Sequence, residues 1–353
     1  MGMSTTKHVD AALLDESATL TAPTAAHPSP ELREAATRDL VQAPPHRRRQ
    51  EEESSSPASD ALDALINAVP VHRTRLARRV YHGLIDSTPA QAGVALLKRV
   101  LPPPHVGLTH HDIIVPGLPR RLDGLRVLHI SDLHLRPGSE LANELPDVVA
   151  AVPHDLMLYT GDFIDDDDGI EPVRRVLQRM PRTAPAYAVL GNHDYWPLGR
   201  AHGRNDVKRL CQTLTDCGLE VLRNTSRPVC GGDLYLVGVD DPPTKHDDVD
   251  QAMAAVPAGA CTIMLVHTPD MVTRLGAHRP NLMLSGHTHG GQIRLPLVGP
   301  VITMSSLPRR KVMGLWTNKG RPVFVTRGIG YSGLNIRLGC PAEATVLTLR
   351  TSR

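Results

Sequence analysis

From Leu122 onward the chain repeats one pattern. A short run of Val, Leu and Ile is followed by a helical stretch, and several runs end directly in a small polar cluster. The runs are Leu125–Ile130, Leu156–Thr160, Ala186–Leu190, Leu234–Val239, Ile263–His267, Leu282–Ser285, Val323–Thr326 and Thr345–Leu349. Candidate helices lie between them near 140–151, 170–180, 204–217, 248–255 and 269–276. This alternation predicts an α/β domain with strands buried on both faces. In open α/β sheets the ligand site lies beyond the strand ends, so the clusters should converge there. The texture argues for one domain over residues 110–353.

The preceding segment reads differently. Residues 1–60 are rich in Ala, Thr, Pro and Ser and contain the charge blocks Arg47–Glu53 beside a serine run, the composition of a disordered tail. Residues 61–109 read as a helical extension broken near Pro70 and Pro89. Within it Leu76, Val80 and Leu84 recur every four residues beside Arg73, Arg75, Arg78 and Arg79. Packing on the domain's own core is the first expectation for that stripe, and peripheral membrane contact through residues 71–86 the second. No apolar run approaches the roughly 18–20 residues that span a bilayer, and no signal-peptide core is present. Five cysteines without a Cys-x-x-Cys pair argue against a zinc ribbon or a disulfide framework. A reducing compartment follows, so the expectation is a cytoplasmic protein. A net charge of +2 and 3% aromatic residues leave neither a phosphate-tracking stripe nor a stacking platform, so no nucleic-acid partner is expected.

The clusters are Asp132-Leu133-His134, Gly161-Asp162, Gly191-Asn192-His193-Asp194, His267 and Gly286-His287-Thr288-His289. Together they supply the hard-oxygen and imidazole donors that suit two adjacent divalent metals, with manganese, iron and zinc all compatible. An extended chain would place Asp132 and His134 on one face, and likewise His287 and His289. It would point Asn192 and His193 opposite ways, leaving one for metal and the other for proton transfer. Each cluster alone is a weak signal. Their ordered occurrence at successive strand ends is not.

This set resembles the calcineurin-like metallophosphoesterase superfamily. The strings Ile130-Ser131-Asp132-Leu133-His134, Gly238-Val239-Asp240-Asp241-Pro242 and Gly286-His287-Thr288-His289-Gly290-Gly291-Gln292 resemble its branch of bacterial YaeI/YkuE-type phosphodiesterases. The resemblance implies a four-layer α/β/β/α sandwich, here preceded by the tail and short helices. It implies that Asp132, His134 and His289 hold a first metal, that Asp162 bridges, and that Asn192, His267 and His287 hold a second. His193 is then the general acid or a group stabilising the leaving oxygen. Asp165 stands where related phosphatases place a carboxylate paired with this histidine, which would raise its pKa. The other reading of Asp165 is the first residue of an acidic loop, Asp165–Asp168. Asp194 is left with orienting its loop.

The departures matter as much. Related protein phosphatases carry, one residue past the position of Asp165, an arginine that grips a phosphomonoester dianion. Here Asp166 stands there, and its charge disfavours a dianion. The expected substrate is therefore a phosphodiester or pyrophosphate, small or lipid-linked, and the expected enzyme a dinuclear metal-dependent phosphodiesterase. The alternatives are a peripheral-membrane nucleotide-sugar lipid pyrophosphatase and a catalytically silent metal-binding scaffold. The branch usually carries an N-terminal membrane anchor, which is not expected in this sequence.

Overall fold

The computed structural model describes residues 87–100, 104–139, 141–197 and 204–352. The expected tail over 1–60 and the amphipathic stretch over 71–86 lie outside the described residues. Helix α1 (Thr88–Val100) carries Pro89 in its first turn. A proline there forfeits no hydrogen bond, so the residue expected to interrupt a helix instead begins one.

The strands follow as β1 (Gly107–Val115), β2 (Arg126–Ile130), β3 (Leu156–Thr160), β4 (Ala186–Val189), β5 (Leu219–Val221), β6 (Thr225–Val229), β7 (Leu234–Gly238), β8 (Cys261–Leu265), β9 (Leu282–Ser285), β10 (Arg294–Leu295), β11 (Gly299–Pro300), β12 (Gly314–Asn318), β13 (Arg321–Val325) and β14 (Glu343–Thr351). The further helices are α2 (Leu145–Ala150), α3 (Ile170–Arg179), α4 (Asn192–Tyr195), α5 (Val207–Asp216) and α6 (Val249–Met253). Among the described residues two six-stranded sheets form, ordered β1-β14-β2-β3-β4-β5 and β12-β13-β9-β8-β7-β6. In the first, β2 to β5 run parallel while β14 opposes β2. In the second, β13, β9, β8 and β7 run parallel between the antiparallel edges β12 and β6.

Strand alternation sorts the side chains into layers. Val127, Leu158 and Leu347 of the first sheet meet Leu236, Ile263, Leu284 and Phe324 of the second in one buried cluster. The opposite face of the first sheet, with Leu128, Ile130 and Tyr159, packs on Leu145, Val173, Leu177 and Leu214 from α2, α3 and α5. The outer face of the second, with Val237, Met264 and Val325, packs on Ala252, Met271 and Leu275. The result is the expected α/β/β/α sandwich. Among the described residues no helix is long and apolar enough to cross a membrane.

In the two six-stranded sheets four strands had no counterpart in the sequence reading: β1, β5, β6 and β12; the short pair β10 and β11 had none either. All four are sheet edges. An edge strand is only half covered, so β1 reads Gly-Leu-Thr-His-His-Asp-Ile-Ile-Val, with polar residues through its middle and only three apolar residues together at its end. The region expected to be helical near 269–276 is a single 3-10 turn, Pro269–Thr273, opened by Pro269.

Candidate metal centre

Every cluster sits two or three residues beyond the C-terminal end of a parallel strand. Asp132 follows β2, Asp162 follows β3, Asn192 follows β4, His267 follows β8 and His287 follows β9. The local backbone is not the extended chain that the spacing implied. Asp132, His134, Asp162, His287 and His289 adopt left-handed φ of 54°, 45°, 54°, 70° and 51°. Non-glycine residues rarely hold this conformation unless their surroundings enforce it, and such positions gather at functional sites. The paired residues of Asp132-x-His134 and His287-x-His289 converge by tight turning, not by the pleat of a strand. Asn192 and His193 likewise lie in the first turn of α4.

Close packing holds these turns. A Cβ at Gly286 would collide with Ser131 Oγ and the Asp132 carboxylate, and one at Gly191 with the Asp162 carboxylate. Glycine is needed there because the acids lie against bare backbone. Asp194 organises the neighbouring loop. Its buried carboxylate accepts from the amides of Gly191 (2.8 Å), Asp162 (3.0 Å), Phe163 (2.8 Å) and Ile164 (3.3 Å). The His193 amide donates to Asp162 Oδ1 at 2.8 Å, and the His287 amide to Asp132 Oδ1 at 2.9 Å.

Among the described residues three donor clusters result: Asp132, His134 and His289; Asp162, His267 and His287; and a third in which Asp165 and His193 gather about His134. The first two hold the residues at the strand ends. Asp162 Oδ2 lies between these two clusters, 3.4 Å from His134 Nε2 and 3.1 Å from His267 Nε2. His287 Nδ1 is 3.2 Å from His267 Nε2, and His289 Nε2 is 2.9 Å from His134 Nε2. Like-charged acids and clustered imidazoles packed this tightly call for cations among them. These His/Asp clusters are able to bind divalent metal.

The outer hydrogen bonds strengthen that fit by fixing tautomers. His267 Nδ1–H donates to the Thr160 carbonyl at 2.6 Å, and His287 Nε2–H to the Met304 carbonyl at 3.0 Å. In the neutral form of each ring the nitrogen turned toward the cluster keeps its lone pair. The buried Oδ1 of Asn192 has no hydrogen-bond partner, as befits an oxygen reserved for a cation. Burial opposes a charge on His267, but the Asp162 carboxylate beside it prevails and raises its pKa to about 10.

Asp165 departs from the expected pairing. Its Oδ1 accepts from His134 Nδ1 at 2.6 Å, not from His193. It is buried, so it is not merely the start of an exposed acidic loop. Through this bond it turns His134 Nε2 toward the cluster. His193 Nδ1 is buried without a partner, and its ring lies 5.0 Å from that of His134. Without a carboxylate hydrogen bond, burial pushes His193 down to about 4, against the raised pKa anticipated. Asp166 caps the turn at Asp167–Gly169 by accepting from the Asp168 amide.

Sequence reasoning assigned no role to two further groups. Arg337 donates to the carbonyls of Arg327 (2.9 Å) and Gly330 (2.9 and 2.7 Å), and its Nη2 lies 3.1 Å from His289 Nδ1, tying the loop after β13 to the donor cluster. Nothing near it in sequence marks it. Asp240, flagged only as part of a string, accepts from Tyr195 Oη at 2.6 Å and Arg223 Nε at 2.8 Å, which anchors α4 to the end of β7.

A two-layered α/β core with His/Asp clusters at its strand ends defines a metal-dependent phosphoester hydrolase. The calcineurin-like phosphoesterase family model matches residues 125–291, a span that includes all five clusters. The chain is 32% identical over 235 residues to the metallophosphoesterase YkoQ of Bacillus subtilis, covering 65% of this chain and 84% of that protein. It is 30% identical over 265 residues to YkuE of the same species, covering 72% and 89%, and 30% identical over 240 residues to the phosphodiesterase YaeI of Escherichia coli, covering 64% and 82%. The chain belongs to the calcineurin-like phosphoesterase family.

Proposed function

We propose that this protein hydrolyses a phosphodiester at a centre of two divalent ions. Asp132, His134 and His289 would hold the first ion, Asn192, His267 and His287 the second, and Asp162 would serve both. The observation that carries this reading is the position of Asp162 Oδ2, shared between His134 and His267 at 3.4 and 3.1 Å with a donor cluster on either side. Ions at these donors would supply a nucleophile from water near neutral pH and neutralise charge developing on the phosphoryl oxygens.

The chain's own residues do the rest. Asp165 holds His134 in its ligating orientation, and the Thr160 and Met304 carbonyls do so for His267 and His287. His193, with a free ring nitrogen beside the clusters, carries a proton to the leaving oxygen. The phosphate anion would raise its depressed pKa as substrate binds. Preference for a diester is supported by Asp166, where related protein phosphatases have an arginine, and by the likeness to a relative named as a phosphodiesterase.

The test is hydrolysis of bis(p-nitrophenyl) phosphate against p-nitrophenyl phosphate, after metal stripping and manganese add-back. Metal-dependent cleavage favouring the diester is expected, and Asp162→Asn should abolish it and release both ions. Near-normal turnover by Asp162→Asn would sink the assignment. Tight binding of two ions with no cleavage of either ester would move the protein to a silent scaffold.

A further inference from the structure

We propose that the hairpin formed by β10 and β11 is a docking tip for an anionic lipid membrane, attached at both ends to the metal centre. Large exposed apolar residues are scattered singly elsewhere among the described residues, at Leu96, Ile114 and Trp196. Four lie together here: Leu295 at 42% exposure, Leu297 at 104%, Val298 at 46% and Val301 at 45%. Leu297 stands at the turn with φ 64°, its whole side chain projected outward. A protruding apolar cluster marks an interaction site.

The hairpin is held firmly. The buried Arg309 donates from Nη1 to the Val298 carbonyl at 3.3 Å and from Nη2 to the Val301 carbonyl at 3.2 Å. Arg309 begins the run Arg309-Arg310-Lys311, so that grip brings two more cations to the base of the hairpin. Arg310 is exposed, and the Lys311 amine lies 4.7 Å over the Trp316 ring. Arg294 stands at the start of β10. The wider sequence is one-sided. Residues 271–342 contain ten Lys and Arg and not one Asp or Glu, in a chain whose net charge is only +2. A convex apolar tip flanked by cations matches an anionic bilayer surface, which takes up such a tip without a shaped groove.

The connection to chemistry is covalent and short. The segment leaves the centre at His289 and returns at Met304, whose carbonyl accepts from His287. Its base is tied again by Arg294 Nη1 to the Gly290 carbonyl at 2.9 Å and by the Val301 amide to the Ile293 carbonyl at 3.0 Å. Insertion of the tip would therefore hold the protein at the membrane by a segment continuous with the donor residues. The docking is independent of which phosphoester is cut.

The experiment is sedimentation of the full-length chain with vesicles of phosphatidylcholine, with and without phosphatidylglycerol. Binding to the anionic vesicles and release by salt are expected. Leu297→Glu should weaken that binding roughly tenfold or more while leaving thermal unfolding unchanged. Arg310→Glu with Lys311→Glu should remove most of the salt dependence. A Leu297→Trp variant should show emission that shifts blue only when anionic vesicles are added. Failure of the parent chain to bind, or undiminished binding by Leu297→Glu, as expected if residues 71–86 were the anchor, would overturn the proposal. Blue-shifted emission of Leu297→Trp already without vesicles would overturn it too, by placing the tip against protein.

Discussion

The two donor clusters that share Asp162 are backed by different chemistry. In the cluster of Asp132, His134 and His289, side chains lie behind the imidazoles: the Asp165 carboxylate accepts from His134 Nδ1, and Arg337 Nη2 lies 3.1 Å from His289 Nδ1. In the cluster of Asp162, His267 and His287, the supports are main-chain carbonyls, of Thr160 and of Met304. A carboxylate makes its histidine a stronger donor, while a carbonyl only orients it. The comparison teaches that one half of the centre can be tuned by substitution behind the ligands. The other is written into the backbone at the end of β3 and the return of the hairpin segment.

The largest effect should come from what both halves share. Asp194→Ala strips the acceptor from the amides of Gly191, Asp162, Phe163 and Ile164. Leaving buried donors unpaired should cost about 3 kcal/mol or more, which for a domain of this size lowers Tm by roughly 6–12 °C. Calorimetry reads this directly, and an unchanged Tm would deny that Asp194 organises the loop. Asp165→Asn comes next. It should weaken one of the two ions by about 10–100-fold and leave the other within experimental error, as read by metal titration. Equal loss of both ions would erase the distinction between the halves. Tyr195→Phe is the smallest. It removes one donor from Asp240, which keeps Arg223, so stability should fall by about 1 kcal/mol with metal content intact. Loss of the second ion in that variant would show that α4 is held less firmly than its contacts indicate.

Much of this was legible in advance for identifiable reasons. Central strands such as Leu156–Thr160 and Leu282–Ser285 have apolar residues on both faces, and their bounds in the structure coincide with their apolar runs. The edge strands β1, β5, β6 and β12 escaped because one side of each meets solvent or loop. The donors were visible because acids and histidines directly after apolar runs are conspicuous. Their supports were not. Arg337 lies 48 residues from His289, the distance in sequence that their hydrogen bond closes. Thr160 and Met304 act through carbonyls, which every residue possesses.

Asp165 marks the boundary between the two kinds of knowledge. Sequence identified it as an acid near the centre, but whether it faced His134 or His193 depended on the loop's path. By itself the sequence determined the alternation of strand and helix, the donor residues and their place at strand ends, because burial period and side-chain chemistry are local properties. The left-handed turns at Asp132, His134, Asp162, His287 and His289, the backing of each imidazole, and the joining of an apolar hairpin to the metal centre were decided only by tertiary structure. Each depends on which backbone groups distant segments bring within hydrogen-bond reach.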